Sequence, residues 1–316
     1  MRFADFLFYL VLFTALLAPG YILGKLSRLE EHAMKSISNL LTDVALPFLV
    51  LSNLLKTDFS SIGVTELLVC ILFPLFTSFA PIPITALLFR GKEEATARVC
   101  RFCAIFPNCS FLGIPLAAAL FPDDPRPVLF LSLFNVFSTL IYLTLGISIL
   151  SGDRRHADLR RAFLKPITVA VVLGVLLSVT GLGARLPFIG TFVAYPAALT
   201  TPLAMTVLGF SLSRMKLREM VTTRELYSTS LVKLVISPVL ALAALFLIEL
   251  LPGISLDSSL IVAMLIASGV SSAASAPALA ETYGEKPQLA AILTLGTTLL
   301  CVATLPLLSL LSDFLF

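Results

Sequence analysis

Apolar residues do not alternate with polar ones along this chain; they come in long runs separated by short polar stretches. Ten runs stand out, at about 3–24, 33–54, 64–90, 96–121, 127–150, 166–183, 190–213, 226–251, 257–282 and 288–312. About 20 apolar residues carry a helix across a bilayer, so each run predicts a transmembrane helix. The connecting segments are too short for a soluble domain. The fourth run departs from this pattern. Between Phe106 and Pro115 it reads F-P-N-C-S-F-L-G-I-P, with two prolines, a glycine, an asparagine and a serine where Leu and Val are expected. A proline removes one backbone N–H and clashes with the carbonyl four residues earlier, so Pro107 frees the carbonyl of Cys103 and Pro115 that of Phe111. At membrane depth, freed groups persist only where protein or a water-filled cavity satisfies them. The run therefore predicts a broken helix, a feature of substrate sites in secondary transporters.

The ninth run holds a second interruption, Ser268-Gly-Val-Ser-Ser-Ala-Ala-Ser-Ala-Pro277. Its polar marks repeat those of the fourth. Ser110, Gly113 and Pro115 match Ser272, Ser275 and Pro277, each 162 positions on. Pro47 matches Pro202 at 155, and Pro127 matches Pro287 at 160. The expected fold is thus all-α and polytopic, with ten transmembrane helices in two five-helix repeats, residues 1–150 and 166–316, joined by a cytoplasmic linker at 151–165. An odd number of spans per repeat forces the halves to insert with opposite orientation. Helices 4 and 9 would then cross at their breaks. Half-helix N-termini converging there would favour an anion, and the freed carbonyls would suit Na⁺ or a donor group of the substrate.

Composition agrees. Hydrophobic residues make up 58% and charged ones 13%, against about 25% charged in soluble domains, and mean hydropathy is +1.01. The net charge of +3 matters less than its distribution. The loops joining spans 1–2, 3–4, 5–6, 7–8 and 9–10 carry most of the Lys and Arg, including Arg154, Arg155, Arg160, Arg161 and Lys165, whereas the opposite side holds Arg2, Lys56, Arg126 and Arg185. The positive-inside rule puts the first set in the cytoplasm and both termini outside a cell (inner) membrane. Basic loop residues read as orientation signals, not nucleic-acid contacts. The N-terminal apolar run is read as helix 1, the partner of helix 6, in preference to a signal peptide. Cys100 and Cys103 form a C-x-x-C, but no second pair or spaced histidine completes a zinc site, and the five cysteines make no disulfide framework.

Polar residues within spans are the candidates for chemistry, because they are costly there. Asp43 lies four residues before Pro47; it reads either as a proton carrier or cation ligand, with a pKa raised if buried, or as a hydrogen-bonded structural acid. Asn108 reads as a substrate contact or as a cap of the second half-helix. Asn135 is a secondary candidate. Arg101 and Lys233 would either attract anions or snorkel to the interface. His32 and His156 fall in basic loops, so no histidine serves Ser271 as a base. Gly269-Val-Ser271-Ser-Ala273 lacks the closing glycine of a nucleophile elbow. No H-E-x-x-H, second mid-span acid or phosphate-binding glycine loop occurs. An enzyme is not expected, nor any cofactor beyond coupling to H⁺ or Na⁺.

Five stretches, P-G-Y-I-L-G-K at 19–25, L-L-T-D-V-A-L-P at 40–47, F-x-N-x-x-F-L-G-I-P-L at 106–116, P-L-A-M-T-V-L-G-F-S-L at 202–212 and A-S-A-P-A-L-A-E-T-Y-G at 274–284, with T-L-P-L at 304–307, resemble the auxin efflux carrier family in order and spacing. The short loop between spans 5 and 6 is similar to that of its compact prokaryotic permeases. The resemblance implies a scaffold of helices 1, 2, 6 and 7, a transport domain of helices 3–5 and 8–10, and commonly a homodimer in the lipid bilayer. It implies small organic anions as substrates, auxin-like carboxylates or malate- and malonate-like dicarboxylates. It places Asn108 and Pro115 on the first crossover and Pro277 on the second. Phe121-Pro122-Asp123 departs from the family's F-G or Y-G, and Asp43 is not part of its pattern. The expected function is a secondary carrier or uniporter for a small organic anion. Asn108, Ser110, Gly113, Pro115, Ser271, Ser272, Ser275 and Pro277 form the expected site, and Asp43 the ion-coupling candidate. The alternative is a cation/proton antiporter of crossed-helix fold, and a third class is a channel or sensor.

Overall fold

The computed structural model describes residues 8, 11, 12, 14–28, 30–57, 62–153, 164–181 and 187–315. Arg2, Arg154, Arg155, His156, Arg160, Arg161 and Arg185 lie outside them, as does most of the expected linker. Among the described residues the fold is all-helical. Six helices are long and apolar enough to cross a membrane: His32–Lys56, Val64–Leu88, Arg126–Ser151, Phe188–Ser213, Arg224–Glu249 and Pro287–Ser312. Cys109–Leu120, Pro166–Ser178 and Ser258–Gly269 are shorter apolar helices, and Ala18–Lys25 is a further short helix.

Where the sequence predicts spans at 96–121 and 257–282, each is a pair of half-helices. The first comprises Glu94–Ile105 and, after an extended step, Cys109–Gly113 continuing as Ile114–Leu120. The second comprises Ser258–Gly269 and Ala276–Thr282. Phe106 and Val270 terminate the leading halves in extended backbone.

Proline also shapes the continuous helices. Three π turns, Leu41–Ala45, Cys109–Gly113 and Val232–Ile236, are each followed at the second position by Pro47, Pro115 and Pro238. The missing N–H leaves the carbonyl four residues back without its α-helical donor. The preceding amide then reaches one residue further, as in Leu46 N–H to Leu41 O, Ile114 N–H to Cys109 O and Ser237 N–H to Val232 O. The fourth, Tyr142–Gly146, has no proline after it. There Gly146 lies against Phe106, and a Cβ on it would be 2.9 Å from that ring.

The helices pack in two groups. In one, Ala18–Lys25 lies against Thr200–Ser213, and Leu46–Lys56 against both Pro166–Val179 and Pro187–Ala198. Backbones approach closely at glycines: a Cβ on Gly20 would be 2.0 Å from Thr206 O, and one on Gly209 2.0 Å from Leu17 O. Small residues permit such contact between membrane helices, where lipid removes the hydrophobic drive to associate. Ser178 Oγ donates to Leu54 O at 2.6 Å across the same group. In the other group Arg126–Ile141 packs on Val64–Phe79 and Ser258–Gly269, while Pro287–Leu315 packs on Ala276–Thr282, Arg224–Leu231 and Glu94–Ile105. Polar clusters tie the loops of this second group. Arg126 bonds Asp124 and Asp257, and Asp124 accepts from Ser259. Arg98 bonds Glu285, and Lys286 bonds Glu93.

Candidate functional site

The two breaks bond to each other. Asn108 N–H donates to Ser271 O at 2.8 Å, and Ala273 N–H to Phe106 O at 2.9 Å, forming an isolated antiparallel bridge. The carbonyl that Pro107 frees, that of Cys103, accepts from Ser272 Oγ at 2.7 Å. Ser272 N–H in turn donates to Thr297 Oγ1 at 3.0 Å. Each break thus satisfies backbone groups of the other, which is the condition for irregular chain at membrane depth.

Beside this joint lies a cavity of about 280 Å³. The second packing group contributes Phe106–Asn108, Ser110, Phe111, Asn135, Ser138, Thr139, Tyr142 and Ala273–Ser275; the first contributes Thr42, Asp43, Leu46 and Lys165–Ile167. The cavity therefore sits on the seam between the groups. Ser275 and Asn108 are the N-caps of the two trailing half-helices.

Asn108 fills the capping role considered for it. Its Oδ1 accepts from Phe111 N–H at 3.3 Å, capping the half-helix. Its Nδ2 is buried without a hydrogen-bond partner among the described residues. Asn135 repeats the pattern: Oδ1 accepts from Ser110 Oγ at 3.3 Å, and Nδ2 is buried and unpartnered. A buried donor left unmade costs about 1–3 kcal/mol, and both of these belong to residues that line the one cavity.

Of the expected site residues, Asn108, Ser110, Asn135, Asp43 and Ser275 are brought together here. Asp43 is exposed, not buried as its mid-span position suggested, and Thr42 Oγ1 donates to its Oδ1 at 3.2 Å. Ser271 and Ser272 are fully buried outside the cavity. Gly113, Pro115 and Pro277 also lie off it and act through the backbone: a Cβ on Gly113 would press on Leu131 at 3.3 Å. Arg101 lines a different cavity of about 460 Å³, together with Arg90, Lys92 and Arg98. Lys233 does not snorkel; it is 1% exposed.

Tyr142 and Lys165 join the site without having been anticipated. Tyr142 packs its ring against Phe102 and Phe106, with centroids 5.5 and 5.8 Å away, and its hydroxyl bonds Ser275 Oγ. Lys165 Nζ sits 5.7 Å from the Tyr142 ring centroid, and burial pushes its ammonium below the ordinary lysine value. The sequence sign of Lys165 was its place directly before Pro166, the first residue of a helix.

Two broken helices bonded break to break beside a polar cavity, within an apolar helical body, are the features of a membrane transporter. Comparison with known proteins agrees: residues 8–309 match the family described as membrane transport protein, and the chain belongs to this, the auxin efflux carrier family. It is similar to an uncharacterized transporter of Methanothermobacter thermautotrophicus, 29% identical over 226 residues, which cover 70% of this chain and 72% of that protein.

Proposed function

We propose that this multi-pass membrane protein is a secondary carrier for a small organic anion, a mono- or dicarboxylate, bound in the cavity at the joined breaks. The observation that carries the reading is the pair of amide donors, Asn108 Nδ2 and Asn135 Nδ2, without partners among the described residues and carried by two residues that line one cavity. Lys165 adds a cation, and the positive end of the half-helix that Asn108 caps adds a partial charge of the same sign. The chain is read as ten spans in two inverted repeats, with basic loops in the cytoplasm. The packing pairs support this: spans 1 and 7 pack as spans 6 and 2 do, and spans 5 and 3 as spans 10 and 8 do. The group holding Ala18–Lys25 and Leu46–Lys56 serves as scaffold, and the group holding both breaks moves against it. A cavity on their seam is opened to either side by such a movement. A homodimer is the assembly that the family resemblance implies.

The test is uptake into proteoliposomes of labelled mono- and dicarboxylates under imposed pH, Na⁺ and voltage gradients. Saturable carboxylate flux is expected, and its absence under every gradient overturns the reading. Lys165→Ala is expected to raise KM about tenfold or more, for loss of a charge-assisted contact of about 1.5–3 kcal/mol, while Lys165→Arg retains most of the affinity. The ammonium binds an anion only while protonated. Its lowered pKa means that affinity is present at neutral pH and is lost on the alkaline side below 10.5, the ordinary lysine value. A KM profile flat to that pH counts against Lys165.

Asp43 separates this reading from a cation/proton antiporter. An antiporter needs its acid, so Asp43→Asn abolishes all flux. In the anion carrier the same substitution removes a negative charge from the cavity, and counterflow exchange of the carboxylate persists. Loss of exchange in a folded Asp43→Asn protein favours the antiporter.

A further inference from the structure

Lys233 is a fully buried cation that the cavity does not use. It lies in the π turn that Pro238 imposes, on a helix packed against Ser258–Gly269 and Pro287–Leu315. Its Nζ donates to Ser268 O at 3.0 Å. Cys109, in the π turn of the first break, and Cys301 lie near enough to act on its charge, and among the described residues no carboxylate does so. The ammonium therefore sits behind the joint, between the two breaks, and is not among the residues lining the cavity.

Its acceptor explains its place. Ser258–Gly269 stops at the break, so its last carbonyls lose their helical donors. Ser268 O would ordinarily accept from Ser272 N–H, but that amide is turned to Thr297 Oγ1. Carbonyls at the C-terminal end of a half-helix carry the negative end of its dipole. In carriers built on discontinuous helices, such carbonyls are where a coupling Na⁺ binds. Here a lysine ammonium, a compact point charge on an apolar four-carbon stem, reaches one of them.

We propose that Lys233 is a tethered internal cation: it fills the carbonyl site at the second break that a sodium ion would otherwise occupy, and so makes this carrier independent of Na⁺. This rests on the carrier reading of the two breaks. Lys233 is a positioning residue that holds the half-helix end through Ser268 O and is tethered to the chain in place of a free ion. Transport then meets no requirement to load or release Na⁺ at that point.

The test needs no transported substrate, so it stands or falls separately from the carboxylate assay. Melting of the purified full-length protein in detergent is measured in NaCl and in choline chloride at equal ionic strength. The wild type is expected to melt at the same temperature in both salts; a Na⁺-specific rise of several degrees overturns the proposal. Lys233→Ala opens the site and is expected to melt several degrees lower in choline, with recovery that grows with NaCl concentration. The same loss in both salts overturns the proposal. Lys233→Met fills the space without charge and is expected to be destabilised and indifferent to Na⁺. Wild-type stability in that variant shows that the break needs no cation, which also overturns the proposal. A purely structural role for the side chain moves stability but not its dependence on Na⁺.

Discussion

Asn108→Asp is expected to leave a folded, monodisperse protein with carboxylate flux reduced at least 100-fold. The reason lies in the two ends of the amide. Its oxygen caps Cys109–Gly113 through Phe111 N–H, and an aspartate caps as well as an asparagine does. Its nitrogen is the donor without a partner. The substitution keeps the first function, deletes the second, and sets a carboxylate against an anionic substrate. The lost hydrogen bond to a charged group alone is worth about 1.5–3 kcal/mol, or about 10–100-fold, and like-charge repulsion adds to it. Asn108→Ala gives the complementary pattern: it loses the cap, at about 1 kcal/mol, and the donor, without gaining a charge. If residue 108 only caps the helix, the ranking inverts and Asp retains more flux than Ala. Melting temperature and KM measured on the same preparations decide between the two.

Gly209→Leu is expected to yield no stable protein. Its Cβ would stand 2.0 Å from Leu17 O, 2.9 Å from Leu17 C and 3.0 Å from Tyr21 N. These are backbone atoms, which cannot rotate away as a side-chain tip can. The pair Ala18–Lys25 and Thr200–Ser213 would have to separate, and Gly20, whose Cβ would meet Thr206 O at 2.0 Å, shows that the same approach is used from the other side. Overpacking an ordinary core costs about 1–3 kcal/mol; displacing a helix from its partner costs more. The measurement is the monodisperse fraction after extraction and its melting temperature. Recovery at wild-type yield and melting temperature would show that the helices do not meet at these glycines. Gly190→Leu, where an added Cβ meets nothing within 4 Å, is the control and is expected to be silent.

Much of the joint was legible in the sequence because proline acts locally. The missing N–H of Pro107 and Pro115 and the small polar residues around them announce a break whatever lies nearby, and Pro277 does so for its partner. The carbonyl freed by Pro107 was readable too. What bonds to it was not, since Ser272 is 169 residues from Cys103. The same limit divides the serines of the second break. Ser271, Ser272 and Ser275 look alike as sequence, but the first two are buried in the joint and only Ser275 reaches the cavity. Lys165 read as one basic loop residue among many, because charge counting cannot show which of them folds back over Tyr142. Gly20 and Gly209 stood inside recognisable motifs, yet motifs do not say that the two glycines touch opposing backbones. Lys233 was ambiguous for a related reason: a lysine in a span reaches the interface or a buried acceptor according to tertiary contacts that only the fold supplies.

The bridge at the breaks has one more consequence. Its two ladder bonds use main-chain atoms of Phe106, Asn108, Ser271 and Ala273, and any residue but proline in place of Asn108 or Ala273 can supply the same donors. The bridge is thus indifferent to most side chains it carries, while the groups proposed to meet the solute at 108, 110, 135 and 165 are side chains. Mechanics and selectivity are written in different parts of the same few residues. On the proposed reading, a descendant of this chain would change its cargo by substitution at those four positions and keep the main-chain bridge intact, provided that residue 108 still caps its half-helix.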